Sequence, residues 1–194
     1  MFNLTLVGIL FLAAISTSCK KEKTDAVVVY SEENPFQKFL EKTGFNQKET
    51  HILYPLNVQT GFSFNTTVKG LIKSVVIKLP QATTTARITI WDANTQVVLK
   101  IVNISAITGN VEKIIPIDPF VIEKNKTYLI SMSANSFTAR KRNDGSVITY
   151  PVTIVNINIL SANYRLSSEQ LYPTSEIYTS FNGDLSFVFL QTNP

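Results

Sequence analysis

The chain has 194 residues, with 18 Lys or Arg, 14 Asp or Glu and a formal net charge of +4. Charged residues make up only 16% of it, and the basic ones do not gather into a long stripe, so the composition does not favour a nucleic-acid-binding protein. Beyond the apolar run at the start of the chain, no apolar run has the length of about 20 residues that a transmembrane helix needs.

An apolar run, LTLVGILFLAAI, covers residues 4–15. It is too short to cross a bilayer but has the length of the apolar core of a signal peptide. The small residues Ser16, Thr17 and Ser18 follow it and precede Cys19, the only cysteine of the chain. This arrangement resembles the lipobox of bacterial lipoproteins, with two departures: residues 1–3 carry no Lys or Arg, and Ser16 stands where the family more often has Leu.

The resemblance implies a lipoprotein signal peptide at residues 1–18, which is removed, and a diacylglycerol on the Cys19 thiol. Acylated Cys19 and a charged tether then form residues 19–30, which attach the protein to a membrane of the cell envelope. By the same resemblance, Lys20 in place of Asp after the cysteine implies the outer membrane. The alternative is an ordinary signal peptide with a chance cysteine nearby.

One helix is predicted in the stretch SEENPFQKFLEKTG, residues 31–44. Asn34 is a capping residue, Pro35 suits the first helical position, and Gln37 stands where a capping box has its Gln or Glu. Gly44 marks the end of the helix.

The rest of the chain has the pattern of short β-strands, rich in Val, Ile, Thr and Phe and separated by Pro, Gly, Asn and Asp. We therefore predict one all-β domain over residues 31–194, an antiparallel jelly-roll-like sandwich. The predicted strands are 25–30, 51–56, 61–65, 71–79, 86–92, 97–104, 111–117, 127–134, 147–150, 152–160 and 184–191. Where Tyr128, Ile130 and Met132 alternate with Ser131 and Ser133, the pattern predicts a sheet with one solvated face.

Three stretches between Phe62 and Ala134 support a more specific comparison: FSFNTTVKGLIKSVVIKLP, ARITIWDANTQVVLK and KIIPIDPFVIEKNKTYLISM. Their order of strands and turns resembles DUF4082-type domains, which are β-sandwich modules of bacterial extracellular proteins. The resemblance departs at residues 94–96, where the family often has a glycine turn. It implies a jelly-roll related to carbohydrate-binding modules, and it transfers no functional residue.

Trp91 is the first candidate for ligand contact. In the predicted strand 86–92 it shares a face with Arg87 and Thr89, opposite Ile88. An indole on a polar face could stack on a sugar ring, with Arg87 beside it. The alternative is that Trp91 closes the core or lies under a loop.

Asn156 and Asn158 lie two residues apart in TIVNINIL and form a second candidate. On one face of a strand, two amides could meet sugar hydroxyls. They could equally be solvated or bond across a strand pair.

The segment 163–182 is long and contains Tyr164, Tyr172 and Tyr178. A segment of this length without regular structure is often functional, and tyrosine suits binding. The alternative is a loop that its own rings hold against the sandwich.

The segment 137–146, FTARKRNDGS, is the most basic part of the chain. We expect a hairpin tip here that charge keeps soluble. The other interpretation is a contact for an acidic glycan or a phosphate of lipopolysaccharide.

Signals for catalysis and for metals are few. His51 is the only histidine, and no phosphate-binding glycine motif occurs. Two distant carboxylates for glycoside hydrolysis remain an open third hypothesis. We predict no cofactor; a structural calcium held by loop carbonyls would leave no sequence signal.

The sequence thus favours a non-catalytic cell-envelope lipoprotein with a ligand-binding sandwich, and a polysaccharide is the expected ligand. The alternative is a structural or accessory protein that binds another envelope protein.

Overall fold

The computed structural model describes residues 29–53 and 56–192, so the predicted leader, Cys19 and most of the tether lie outside the described residues. Within those ranges, no helix has the length and apolarity to cross a membrane. The elements are β1 (Glu32–Glu33), α1 (Phe36–Thr43), β2 (Gln47–Ile52), β3 (Val58–Thr66), β4 (Gly70–Lys78), β5 (Thr83–Asp92), β6 (Val98–Ile107), β7 (Lys113–Ile122), β8 (Tyr128–Ala134), β9 (Ser136–Lys141), β10 (Val152–Ile154), β11 (Ile157–Leu166), β12 (Ser175–Ile177), β13 (Ser180–Asn182) and β14 (Asp184–Gln191).

Two antiparallel sheets pack face to face. The smaller has the order β1-β14-β4-β7, and the larger has the order β10-β11-β3-β8-β5-β6, with β12 beside β11. A third sheet, β13-β9-β2, adjoins them. The prediction of an antiparallel all-β sandwich with one short N-terminal helix is confirmed.

Aromatic side chains fill the space between the two large sheets. Phe62 and Phe64 of β3 face Phe187 and Phe189 of β14, and all four are buried. The rings of Phe64 and Phe187 lie 4.7 Å apart, centroid to centroid. Alternate residues of a strand point to opposite faces, so the F-x-F patterns place both rings of each strand in the core.

Helix α1 covers one end of this core. Its Phe39 ring lies 4.8 Å from the ring of Phe181. The helix stops at Gly44 as predicted, and this glycine takes a φ of +70° just after the last helical residue, Thr43. The predicted capping box is wrong, because Gln37 Nε2 donates to Glu41 Oε1 instead of reaching back to the helix start. The Phe36 amide donates to Asn34 Oδ1 at 3.3 Å, so Asn34 does support the first turn.

Several predicted boundaries in the second half of the chain are wrong. Residues 147–150 form no strand, and a turn at Val155 and Asn156 divides the predicted strand 152–160 into β10 and β11. The first half of the predicted hairpin tip, residues 137–141, belongs to strand β9, while Asn143 and Asp144 do lie in a turn. The segment 163–182 contains the end of β11 together with β12 and β13. These strands are short or strongly polar, so apolar alternation does not reveal them.

A buried ion pair joins the third sheet to the smaller sheet. Arg140 of β9 donates from Nε to Asp184 Oδ1 at 2.8 Å and from Nη2 to Asp184 Oδ2. The two side chains are only 10% and 4% exposed. Since both charges are removed from water, neither can lose its partner without a large energetic cost.

We predict that Asp184→Asn lowers the free energy of unfolding by about 3–5 kcal/mol, because it leaves the Arg140 charge buried without a counter-ion. The measurement is urea denaturation followed by circular dichroism. The control is Lys69→Ala, which breaks the Lys69–Glu123 pair whose side chains are about half exposed and which should cost less than about 1 kcal/mol. Equal losses in the two variants would contradict the prediction.

Candidate functional site

The outward face of the larger sheet is polar along its middle strands. Strand register places Asn103, Arg87, Ser133, Gln59 and Arg165 in one row across β6, β5, β8, β3 and β11. The intervening residues of β5 belong to the core, so this row points away from it. Arg87 therefore lies on the predicted face.

The prediction that this face is solvated is wrong for its middle, where Gln59 and Ser133 are buried, whereas Asn103 on edge strand β6 is exposed. Residues 167–174 join β11 to β12 and lie across this face; we call them the covering segment. Gln59 Nε2 donates to the carbonyl of Glu169, and Gln170 Nε2 donates to Thr89 Oγ1 at 3.4 Å. The main chain of the segment is also held by Arg165, whose Nη1 donates to the carbonyl of Tyr172 at 3.2 Å.

Trp91 lies beneath the covering segment and is 3% exposed. Its Nε1 donates to Ser131 Oγ at 2.9 Å, and the Tyr172 ring meets it edge-on at 5.7 Å. The interpretation of Trp91 as an open stacking platform is therefore not met in this structure, whereas the alternative of a tryptophan under a loop agrees with it. Burial raises the pKa of the Tyr172 hydroxyl, with further contributions from Glu176 and Asp92.

Hydrogen bonds satisfy most of the polar groups buried on this face. The hydroxyls of Ser63 and Ser161 lie 2.6 Å apart, and Ser161 Oγ donates to Asn163 Oδ1 at 2.9 Å. These bonds allow a polar sheet face to be buried, because an unpaired polar group there would be costly.

Arg87 is the exception on this face. Its Nε and Nη2 atoms are buried and have no hydrogen-bond partner. The side chain lines a cavity of about 390 Å³ at the edge of the covering segment, a size within the usual range of ligand pockets. Its polar lining is otherwise Asn57, Thr85, Asn103, Ser105, Ser133 and Ser168. Arg87, Trp91 and Tyr172 are thus the predicted residues that the structure brings to one face.

Asn156 and Asn158 lie elsewhere and have protein partners. Asn156 belongs to the β10–β11 turn and donates from Nδ2 to Glu33 Oε1 at 2.6 Å. Asn158 donates to Asn65 Oδ1 at 2.8 Å and accepts from Thr153 Oγ1 at 2.7 Å. The turn takes Asn156 off the strand, so the two amides do not form one row.

Tyr164 and Tyr178 are partly exposed and separate from Trp91. Tyr164 alternates with Asn163 and Arg165 on β11 and so points to the opposite face from the covering segment. The Tyr178 hydroxyl donates to Glu176, which raises the pKa of Tyr178, and its ring lies 6.2 Å from that of Tyr150.

The basic segment is largely occupied in holding the structure. Arg140 is bound to Asp184, and Arg142 donates from Nε to the carbonyl of Thr43 at 2.6 Å and from Nη1 to that of Val147 at 2.7 Å. Lys141 pairs with Glu49 on the neighbouring strand β2.

Sequence reasoning missed the polar residues that line the cavity with Arg87, notably Asn103, Ser133 and Ser168. Asn103 and Ser133 carry the alternation signal of their strands, which reveals a face but not what covers it. Ser168 carries no periodic signal, because it reaches the cavity only through the path of the covering segment.

Within residues 29–53 and 56–192, no group of three or more His, Cys, Asp or Glu side chains is placed to hold a metal ion. No protein-family model matches the chain, and no curated protein is similar to it.

Asp92 fixes the turn that follows β5 beside this face. Lys126 Nζ lies 2.8 Å from Asp92 Oδ2, and the amides of Asn94 and Thr95 donate to Oδ1 at 3.0 and 3.1 Å. The bond from Lys126, followed by that from the Thr95 amide, holds the pKa of Asp92 at about 2.

We predict that the stability advantage of the wild type over Asp92→Asn depends on pH. Because the pKa of Asp92 is lower in the folded state, its ionised carboxylate stabilises the folded protein fully at pH values above the unfolded pKa of about 3.9. This stabilisation is lost as the pH falls toward the folded pKa of about 2. Urea denaturation at several pH values between 7 and about 2 measures it. Lys126→Met removes the main partner and should show the same trend; an advantage that stays constant with pH would contradict the assignment.

Proposed function

We propose that the protein is a non-catalytic lipoprotein of the bacterial cell envelope whose β-sandwich binds a glycan. The observation that carries the binding role is the cavity beside Arg87 at the edge of the covering segment. Its lining offers hydroxyl, amide and guanidinium groups, which are the groups that exchange hydrogen bonds with sugar hydroxyls.

The chemistry of the cavity supports binding rather than catalysis at this place. Among the described residues, none that lines it is His, Cys, Asp or Glu. The single histidine lies on another sheet, where the His51 ring stacks on Phe137 at 4.9 Å. The described lining therefore offers no base to activate a nucleophile and no pair of carboxylates for glycoside hydrolysis.

The envelope location rests on the resemblance of residues 4–19 to a lipoprotein leader. A thioether-linked diacylglycerol and an acylated amine would anchor the chain stably, whereas one acyl chain gives only marginal binding. The outer membrane is the expected compartment because Lys20 follows the cysteine.

We predict that Cys19→Ala moves the protein from the membrane fraction to the soluble fraction, because the lipid then has no thiol to which it can attach. Fractionation of expressing bacteria followed by immunoblotting measures the change. Cys19→Ser is the closest conservative control and should behave like Cys19→Ala. Unchanged membrane retention in both variants would contradict the lipoprotein proposal.

We predict that the full chain, purified in detergent, binds a defined set of structures on a glycan array. Asn103→Ala should weaken that binding by roughly fivefold, the effect of about one lost hydrogen bond, because Asn103 lines the cavity on edge strand β6. Asn143→Ala in an exposed turn is the matched control. A folded protein that binds no glycan would contradict the proposal.

A protein-binding accessory role is the second candidate, and exposed apolar residues on two edge strands favour it. Strand β6 ends the larger sheet and exposes Leu99 and Ile101, while β7 ends the smaller sheet and exposes Ile114 and Val121. Edge strands with exposed apolar side chains are sites where another chain can pair. A blank glycan array would favour this function.

A further inference from the structure

We propose that the cavity beside Arg87 binds the carboxylate of an acidic sugar, a hexuronic acid unit of a polysaccharide. This inference rests on the proposed glycan-binding function and names its substrate class. It is carried by a contrast among the arginines of the chain, by the shape of the unpaired guanidinium edge, and by the lining of the cavity.

The chain has four arginines, and three of them donate hydrogen bonds to other residues. Arg140 binds Asp184, Arg142 binds main-chain carbonyls, and Arg165 binds the carbonyl of Tyr172. Arg87 alone leaves buried guanidinium atoms without a partner among the described residues. A buried, charged donor without an acceptor is costly, so an acceptor from outside the chain would be favoured at this position.

The unpaired atoms define the shape of that acceptor. Nε and Nη2 form one edge of the guanidinium and present two parallel N–H groups, which match the two oxygens of a carboxylate. The same protein uses this edge in the Arg140–Asp184 pair, where Nε and Nη2 bind Oδ1 and Oδ2. A ligand carboxylate at Arg87 would repeat this arrangement.

The cavity adds the remaining requirements. Within the described part of the chain, no carboxylate side chain lines it, so a ligand carboxylate meets no like charge there. The Asn103 and Ser105 side chains stand on the exposed edge strand, and Ser168 stands on the covering segment. These groups can bond the hydroxyls of a sugar ring, while Arg87 holds the carboxylate attached to that ring.

Access to the guanidinium edge requires a change of side-chain rotamer. Nε and Nη2 are buried, whereas the residue as a whole is partly exposed and borders the cavity. Carboxylate binding therefore requires rotation about the terminal bonds of Arg87 that turns this edge toward the cavity. The binding step therefore exchanges a buried unpaired edge for a charge-assisted pair.

The test follows the Nε–H resonance of Arg87 by nuclear magnetic resonance in the full chain in detergent, while D-glucuronate, D-glucose or acetate is added. The signal is assigned as the one of four that Arg87→Lys removes. We expect D-glucuronate to shift it and D-glucose to leave it in place. Arg87→Lys should weaken D-glucuronate binding by about tenfold or more, because lysine cannot form two parallel bonds.

Lys38→Gln removes a charge on the exposed side of α1 and is the matched control, which should bind like the wild type. If Arg87→Lys unfolds, Asn103→Leu retains the guanidinium and should still weaken D-glucuronate binding. Binding of D-glucose with an unmoved Arg87 signal would overturn this inference and leave the glycan proposal standing. An equal shift with acetate would overturn the sugar assignment, and no shift with any of the three would overturn the site.

Discussion

The burial of a polar sheet face under the chain's own covering segment is the constraint on which the candidate site depends. Such a face is stable only if its donors and acceptors find partners, because water no longer reaches them. Most residues of the face meet this condition. Trp91 donates to Ser131, and three other side chains bond to the covering segment, namely Gln59, Thr89 and Arg165. Arg87 does not, and it stands where the cover ends and a cavity begins.

Much of the fold could be predicted from apolar alternation. Phe62 and Phe64, or Phe187 and Phe189, are two residues apart and large, so they identify both their strand and its buried face. The helix was equally readable, because Gly44 provides a clear end. Strands β2 and β9 were misplaced or missed because charged and polar residues dominate them, and tertiary pairing rather than their own pattern makes them strands.

The candidate site was less predictable, for a physical reason. Alternation assigns Arg87 and Trp91 to one face, but solvent and a covering segment both suit a face with Arg, Thr and Ser. Only the path of residues 167–174 decides between them, and that path is fixed by individual side-chain bonds such as that of Gln170 to Thr89. Asn156 was unpredictable for the same kind of reason. Its bond to Glu33 depends on a turn that interrupts a stretch which the sequence pattern presents as one continuous strand.

Trp91 is the only tryptophan of the chain, and it lies against Tyr172 under the covering segment. Its indole is therefore a natural optical probe of one particular layer of the molecule. The indole is buried, so we expect the emission of a shielded ring. An event that lifts the segment would admit water to the ring and change the wavelength and intensity of its fluorescence. An event at the opposite sheet would leave that fluorescence unchanged. Trp91 thus serves as a built-in fluorescent reporter for the sheet face that the covering segment buries.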